Sequence, residues 1–128
     1  LEDGVNLVKW CIENMKSNEI FVPKLKSYNI LDLAEVLAPN AKREFIGKRK
    51  GEKLHEVMIT SEESLFTIDK GEFYIILPTS SDEEIKEYAL KIDGKVNNKQ
   101  FEYSSGTNNY FLSSDEIKKL IKKEGYLY

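Results

Sequence analysis

Gly47-Lys48-Arg49-Lys50-Gly51-Glu52-Lys53-Leu54-His55-Glu56 places one rigid cation, two glycines and a carboxylate within a few residues. That combination suits a nucleotide diphosphate. Arg49 offers a planar fork that matches phosphate oxygens. Gly51 lets the backbone turn sharply or approach a ligand closely. Glu52 has oxygens enough to accept two hydroxyl hydrogen bonds, as a ribose requires. Charged residues around a glycine also describe a solvated turn, so the rest of the chain has to decide between the two.

Upstream, Val5, Val8, Ile12 and Met15 recur at three-to-four-residue spacing, with Trp10 and Cys11 nearby, and predict one helix ending near Asn18. Ile20-Phe21-Val22 predicts a short strand stopped by Pro23. Asn29 is suited to cap a second helix with Ile30, Leu33, Ala34 and Leu37 on its inner face, terminated by Pro39. Glu44-Phe45-Ile46 reads as another short strand leading into the basic loop. Glu52 to Ile59 reads as a short helix, followed by a polar turn at 60–63.

Downstream, Leu65 to Ile68 and Phe73 to Ile76 flank Asp69-Lys70-Gly71 and predict a hairpin. Ser81 with Glu84 is a capping-box pattern that opens a helix to about Leu90. Asp93-Gly94 is a turn, 97–99 a loop, Phe101-Glu102-Tyr103 a short strand and 104–109 a polar loop. Ser113 with Glu116 is a second capping box. It opens a last helix with Ile117, Leu120 and Ile121 on its buried face and Gly125 at its end. The expected fold class is α/β to α+β with short strands. The polar turn at 60–63 is the expected boundary between portions 1–60 and 61–128.

The 128 residues suit one modest domain or a piece of a larger protein. The 41% apolar content is enough to bury a core, and 32% of the residues are charged. A net charge of −3 and a pI near 5.3 argue against non-specific nucleic-acid binding, so any anion site has to be local. Cys11 is the only cysteine, which excludes an internal disulfide and suits a reducing cytoplasm. No apolar run reaches transmembrane length and no signal peptide is visible. The chain opens at Leu1-Glu2-Asp3-Gly4-Val5, already in a helical pattern, and the expectation is a fragment of a longer natural protein.

Several catalytic patterns are missing. There is no G-x-G-x-x-G, no P-loop and no Tyr-x-x-x-Lys pair. His55-Glu56 does not extend to a zinc helix, because Ile59 stands where the second histidine belongs. As the only histidine, His55 reads as a structural residue or one that supports a site. Cys11 lies on an apolar-striped helix and reads as packed. Asn108, Asn109 and Tyr110 form a polar-aromatic loop that reads as surface.

Five strings together resemble the C-terminal part of the bacterial UDP-N-acetylglucosamine 4,6-dehydratases, including the inverting, 5-epimerising enzymes of capsule, O-antigen and flagellin-sugar biosynthesis, which are extended short-chain dehydrogenases. They are Leu1-Glu2-Asp3-Gly4-Val5, Glu19-Ile20-Phe21-Val22-Pro23-Lys24, Asp32-Leu33-Ala34-Glu35, Gly51 to Ile59, and Phe101-x-Tyr103-Ser104-Ser105 with Asn108-Asn109. The Gly51 to Ile59 string is the most specific. The stretch after Thr60 resembles the C-terminal extension of this subgroup.

The resemblance implies a missing N-terminal Rossmann domain that holds NADP(H) and carries the catalytic residues, while this part closes over the nucleotide sugar. In the whole enzyme a hydride would leave C4 for the cofactor, water would be lost across C5 and C6, and the hydride would return at C6. A motif resembling I-R-P-G-E-K would give its arginine to the pyrophosphate and its acid to the ribose. By position those residues are Arg49 and Glu52. Lys24, on the segment running beside the nucleotide, is a weaker candidate contact. Lys50 stands where the family usually has proline.

The implied partners are a UDP-sugar, the Rossmann domain of the same protein and further copies of it, with no nucleic acid and no membrane insertion. Part of a UDP-sugar 4-epimerase and a non-catalytic interaction module are the alternatives. On its own the chain lacks cofactor and catalytic motifs and is expected to be inactive.

Overall fold

Asp69-Lys70-Gly71 turns the chain as its residues dictate. Asp69 Oδ1 accepts from the Gly71 N–H at 2.8 Å, and Gly71 takes a φ of +91° that side chains rarely adopt. The computed structural model describes residues 2–125. Its elements in chain order are α1 (Glu2–Asn14), β1 (Ile20–Pro23), α2 (Ile30–Leu37), β2 (Val57–Ile59), a 3-10 turn (Glu63–Phe66), β3 (Thr67–Asp69), β4 (Phe73–Ile76), α3 (Asp82–Ile92), β5 (Lys95–Val96), β6 (Tyr103–Ser104) and α4 (Ser114–Lys123). This is the mixed α/β to α+β composition expected, with an antiparallel sheet.

The compact units do not follow the expected division into 1–60 and 61–128. They are interleaved: one comprises Leu1–Leu25 and Val57–Tyr103, the other Lys26–Glu56 and Ser104–Tyr128. The contacts that hold each unit together therefore join segments from both expected portions.

The first unit is built on a four-stranded sheet of order β1-β4-β3-β5. All its pairings are antiparallel, and Ile75 lies opposite both Phe21 and Ile68. Alternation of side chains then sorts the core by face. Ile68, Ile75 and Leu77 pack with Ile85 and Ala89 of α3, flanked by Phe21, Phe66 and Val96. On the other face Val22 and Ile76 pack with Ile59, beside Tyr74, Phe101 and Tyr103. Ile59, Ile68 and Ile75 have no exposed surface.

Several details fasten this unit. Ser81 accepts from the Glu84 N–H and opens α3, but the reciprocal bond of a full capping box is replaced, because the Ser81 N–H goes to Thr79 Oγ1. At the other end of α3 the chain passes through Asp93 at φ +53° into Gly94, where a Cβ would lie 2.5 Å from Ile68 Cγ2. Buried Glu19 accepts from the Ser17 N–H and the Tyr88 hydroxyl, tying the approach to β1 onto α3. The Tyr103 hydroxyl accepts from the Leu25 N–H and donates to the Leu25 carbonyl.

α1 ends at Asn14, short of the expected Asn18. It meets the sheet through Trp10, whose ring lies 5.5 Å from Phe21 and 4.7 Å from Phe73. Its apolar residues Val5, Val8 and Ile12, and Met15 just past its end, are exposed.

In the second unit α2 packs against α4. Asn29 caps α2 as expected, accepting from the Leu31 N–H at 2.9 Å. Ser113 and Glu116 form the full reciprocal capping box of α4. Ile117 is buried under α4, whereas Leu120, expected inside, is exposed. Ile30 and Leu37 of α2 are also exposed.

Two expected elements are absent. Glu44 to Ile46 forms no strand and stands in irregular chain, with Phe45 and Ile46 exposed. The expected helix from Glu52 to Ile59 is instead irregular chain through Glu56 followed by β2. Gly51 at φ +88° and the β-branched Val57 and Ile59 both oppose a helix there, and burial of Ile59 on the sheet settles the choice.

Candidate functional site

The loop 43–56 enters from α2 and is fixed at its start by an ion pair between Arg43 and Glu35. Gly47 takes a φ of +76° and Gly51 one of +88°. Between them the chain closes a turn. The Glu52 N–H donates to the Arg49 carbonyl at 3.1 Å, with Lys50 and Gly51 at the corner. A positive φ at the third position is what makes glycine the natural residue there.

The turn brings Arg49 and Glu52 together. Glu52 Oε2 accepts from the Arg49 N–H at 2.7 Å. Glu52 Oε1 lies 3.8 Å from Arg49 Nε. One carboxylate oxygen thus braces the turn while the other faces the guanidinium. Both side chains remain open to solvent, at 74% and 49% exposure. An exposed pair of this kind contributes little to stability, so both groups are available to a ligand at small cost.

Glu52, Lys48 and Lys53 edge a groove of about 660 Å³ whose walls include Ile30, Phe45 and Leu54. An apolar wall beside a few charged groups is the usual composition of a small-molecule site.

Lys24 is engaged within its own unit. It belongs to the first unit, where its ammonium lies 2.6 Å from Asp69 Oδ1 and 4.3 Å above the Tyr74 ring. Burial pushes the Tyr74 hydroxyl pKa up, and the Lys24 charge works against that rise.

Asn108 and Tyr110 of the polar-aromatic loop have structural partners. Asn108 donates to Ser27 Oγ at 3.0 Å and accepts from the Tyr110 N–H. The Tyr110 hydroxyl donates to Glu116 and, with the Ser113 bonds, pulls that carboxyl down to about 2. Sequence reading assigned no role to Ser105 and Gly106, which meet Glu56 and His55. Their one signal was that Ser105 sits in a string resembling the same family as the string containing His55. Among the described residues, no group of His, Cys, Asp and Glu is placed to hold a metal ion, and no helix is long and apolar enough to cross a membrane.

Residues 1–78 match the family described as polysaccharide biosynthesis protein. The chain is 40% identical to a UDP-N-acetylglucosamine 4,6-dehydratase (inverting) of Campylobacter jejuni, over 98% of its own length and 39% of that protein's. It is 32% identical to a UDP-glucose 4-epimerase of Rickettsia canadensis, over 99% of its length and 38% of the relative's. Among solved structures it resembles the X-ray structure of Pen from Bacillus thuringiensis, with a TM-score of 0.75 and 27% identity, over 98% of this chain and 37% of that one. The chain thus spans about two fifths of the length of the relatives it matches.

Proposed function

The chain belongs to the polysaccharide biosynthesis protein family, and from that premise we propose that it is the UDP-sugar-binding C-terminal part of a nucleotide-sugar 4,6-dehydratase/5-epimerase acting on UDP-N-acetylglucosamine. The observation that carries the proposal is the Arg49 to Glu52 turn, which holds a guanidinium and a carboxylate side by side in solvent. Arg49 binds the diphosphate through two parallel N–H donors. Glu52 keeps one oxygen on the turn and offers the other to a ribose hydroxyl. Lys24 is the weaker contact, since its ammonium is already paired with Asp69.

The task of this part is orientation. Anchoring the nucleotide away from the reacting carbons lets remote binding energy position the sugar. NADP(H) is assigned to an N-terminal Rossmann domain, where it supplies hydride transfer, and no residue of this chain is assigned to it. Self-association and a cytoplasmic setting belong to the same reading. The Rickettsia relatives support a second reading, part of a UDP-sugar 4-epimerase; analysis of the product separates the two.

The test is a UDP titration followed by backbone amide shifts, in this chain and in the full-length polypeptide. Shifts clustered at 47–53 support the proposal. Absence of shifts there in the full-length protein at millimolar UDP removes Arg49 and Glu52 from the site.

A further inference from the structure

His55, Ser105 and Gly106 hold no place in the proposal above, yet they meet beside the turn it rests on. The Glu56 N–H donates to Ser105 Oγ at 3.0 Å, and the Ser105 N–H donates to the Glu56 carbonyl at 2.9 Å. Next to this pair the His55 ring lies against Gly106. A Cβ at position 106 would stand 2.7 Å from His55 Cγ and 2.8 Å from Cδ2, closer than real side chains come. Gly106 is not among the positive-φ glycines, so its backbone makes no demand for glycine. The demand comes from the ring. Ser105 Oγ is also 3.5 Å from His55 Nδ1, at the outer limit of a hydrogen bond.

The seat is itself braced. The Ser104 N–H donates to Thr107 Oγ1 at 3.1 Å and the Thr107 N–H returns to Ser104 Oγ at 3.2 Å. Asn108 ties the same loop to Ser27. At the other end of loop 43–56, Arg43 is held by Glu35. Residues 44–55 between these anchors form no helix or strand, so the pose of the turn depends on what grips its ends. Lys53 and Leu54 alone separate Glu52 from His55.

We propose that His55, seated on Ser105 and Gly106, is a positioning residue that holds the Arg49 to Glu52 turn in its ligand-ready pose. The positioning of the turn stands on geometry; its consequence for nucleotide binding rests on the reading above.

Amide hydrogen exchange in the ligand-free chain tests the first part. The Glu52 N–H, bonded to Arg49, is the reporter. His55→Ala and Gly106→Ala are each expected to speed its exchange about fivefold, the worth of one ordinary contact, while the Ile68 and Ile75 amides keep their rates. Because the two residues act through one contact, the double variant exchanges no faster than either single one. Unchanged Glu52 exchange, or effects that simply add, overturns the proposal. Should Gly106→Ala not fold, His55→Ala decides alone, since it leaves Gly106 in place.

UDP titration of the full-length polypeptide then reads the consequence, with His55→Ala expected to raise the Kd about fivefold, matching the exchange effect. Faster Glu52 exchange with unchanged UDP affinity supports the positioning role and counts against the nucleotide reading, which Arg49→Ala tests directly.

Discussion

Replacing Lys50 by proline is expected to stabilise this protein. Lys50 is the second residue of a turn closed by the Glu52 N–H on the Arg49 carbonyl, with Gly51 third at φ +88°. Turns with a positive φ at the third position accept proline at the second, where its ring presets the required φ. Among the described residues the Lys50 amide donates no hydrogen bond, so proline removes none. The gain lies in the unfolded chain, which loses conformations it no longer has to give up on folding, and is about 0.4–1 kcal/mol. For a chain of this size that raises Tm by about 2–4 °C.

Gly51→Ala is the opposing control. A Cβ there meets nothing within 4 Å, so the penalty is backbone conformation alone, about 1–2 kcal/mol. Urea unfolding should give both shifts at unchanged m. The two units need not unfold together, so the backbone amides of 49–56 are followed beside the far-UV signal. A proline variant that loses stability, or an alanine variant that loses none, would refute the turn geometry from which both signs were derived.

Three further outcomes are expected. Arg49→Ala in the full-length polypeptide should weaken UDP binding by about 1.5–3 kcal/mol, the scale of a charge-assisted hydrogen bond, and Glu52→Gln by less; calorimetry that finds Arg49→Ala unchanged excludes the guanidinium from the site. Burial and the Glu19 carboxylate push Tyr88 up to about 12 from its usual 10.0. The folded state therefore keeps this proton more tightly, and stability present in full below about pH 10 is lost as pH rises toward 12; Tyr88→Phe should flatten that alkaline limb of the urea midpoint. Gly94→Ala should cost about 1–3 kcal/mol by overpacking against Ile68, and a neutral result in thermal unfolding would mean that Ile68 has room to move.

Glu19 shows how local bonding reverses a general trend. Burial works to raise its pKa, but hydrogen bonds from Ser17, its own amide, Tyr88 and Lys16 outweigh it and bring the carboxyl below its usual value. The sign of linkage is then opposite to that of Tyr88. Its contribution is present above the usual carboxylate range and is lost as pH falls through the depressed value.

The parts of the fold that could be read from sequence are those decided by near neighbours. Asn29, Ser81 and Ser113 cap helices because a short polar side chain reaches an amide two or three residues on. Asp69-Lys70-Gly71 makes its turn for the same reason. What misled was decided at a distance. Val57 to Ile59 joins β2 because Ile59 is buried between Val22 and Ile76, and nothing within a helical turn of Ile59 announces those partners. At the site, the adjacency of Arg49 and Glu52 was legible from their spacing. The engagement of Lys24 by Asp69 was not, because 45 residues separate them.

The interleaving of the units has a consequence for the order in which the molecule can be made. Residues 26–56 leave the ribosome before residues 57–103, yet their unit is completed only by residues 104–128. The loop that carries Arg49 and Glu52 is thus synthesised early, whereas Ser105 and Gly106, which meet its far end at Glu56 and His55, emerge about fifty residues later. Closing so long a loop carries an entropic cost that local turns avoid. Phe45, Ile46 and Leu54 stay exposed even in the finished fold, and the first unit, with its hairpin and α3 already in hand, is the body able to consolidate first.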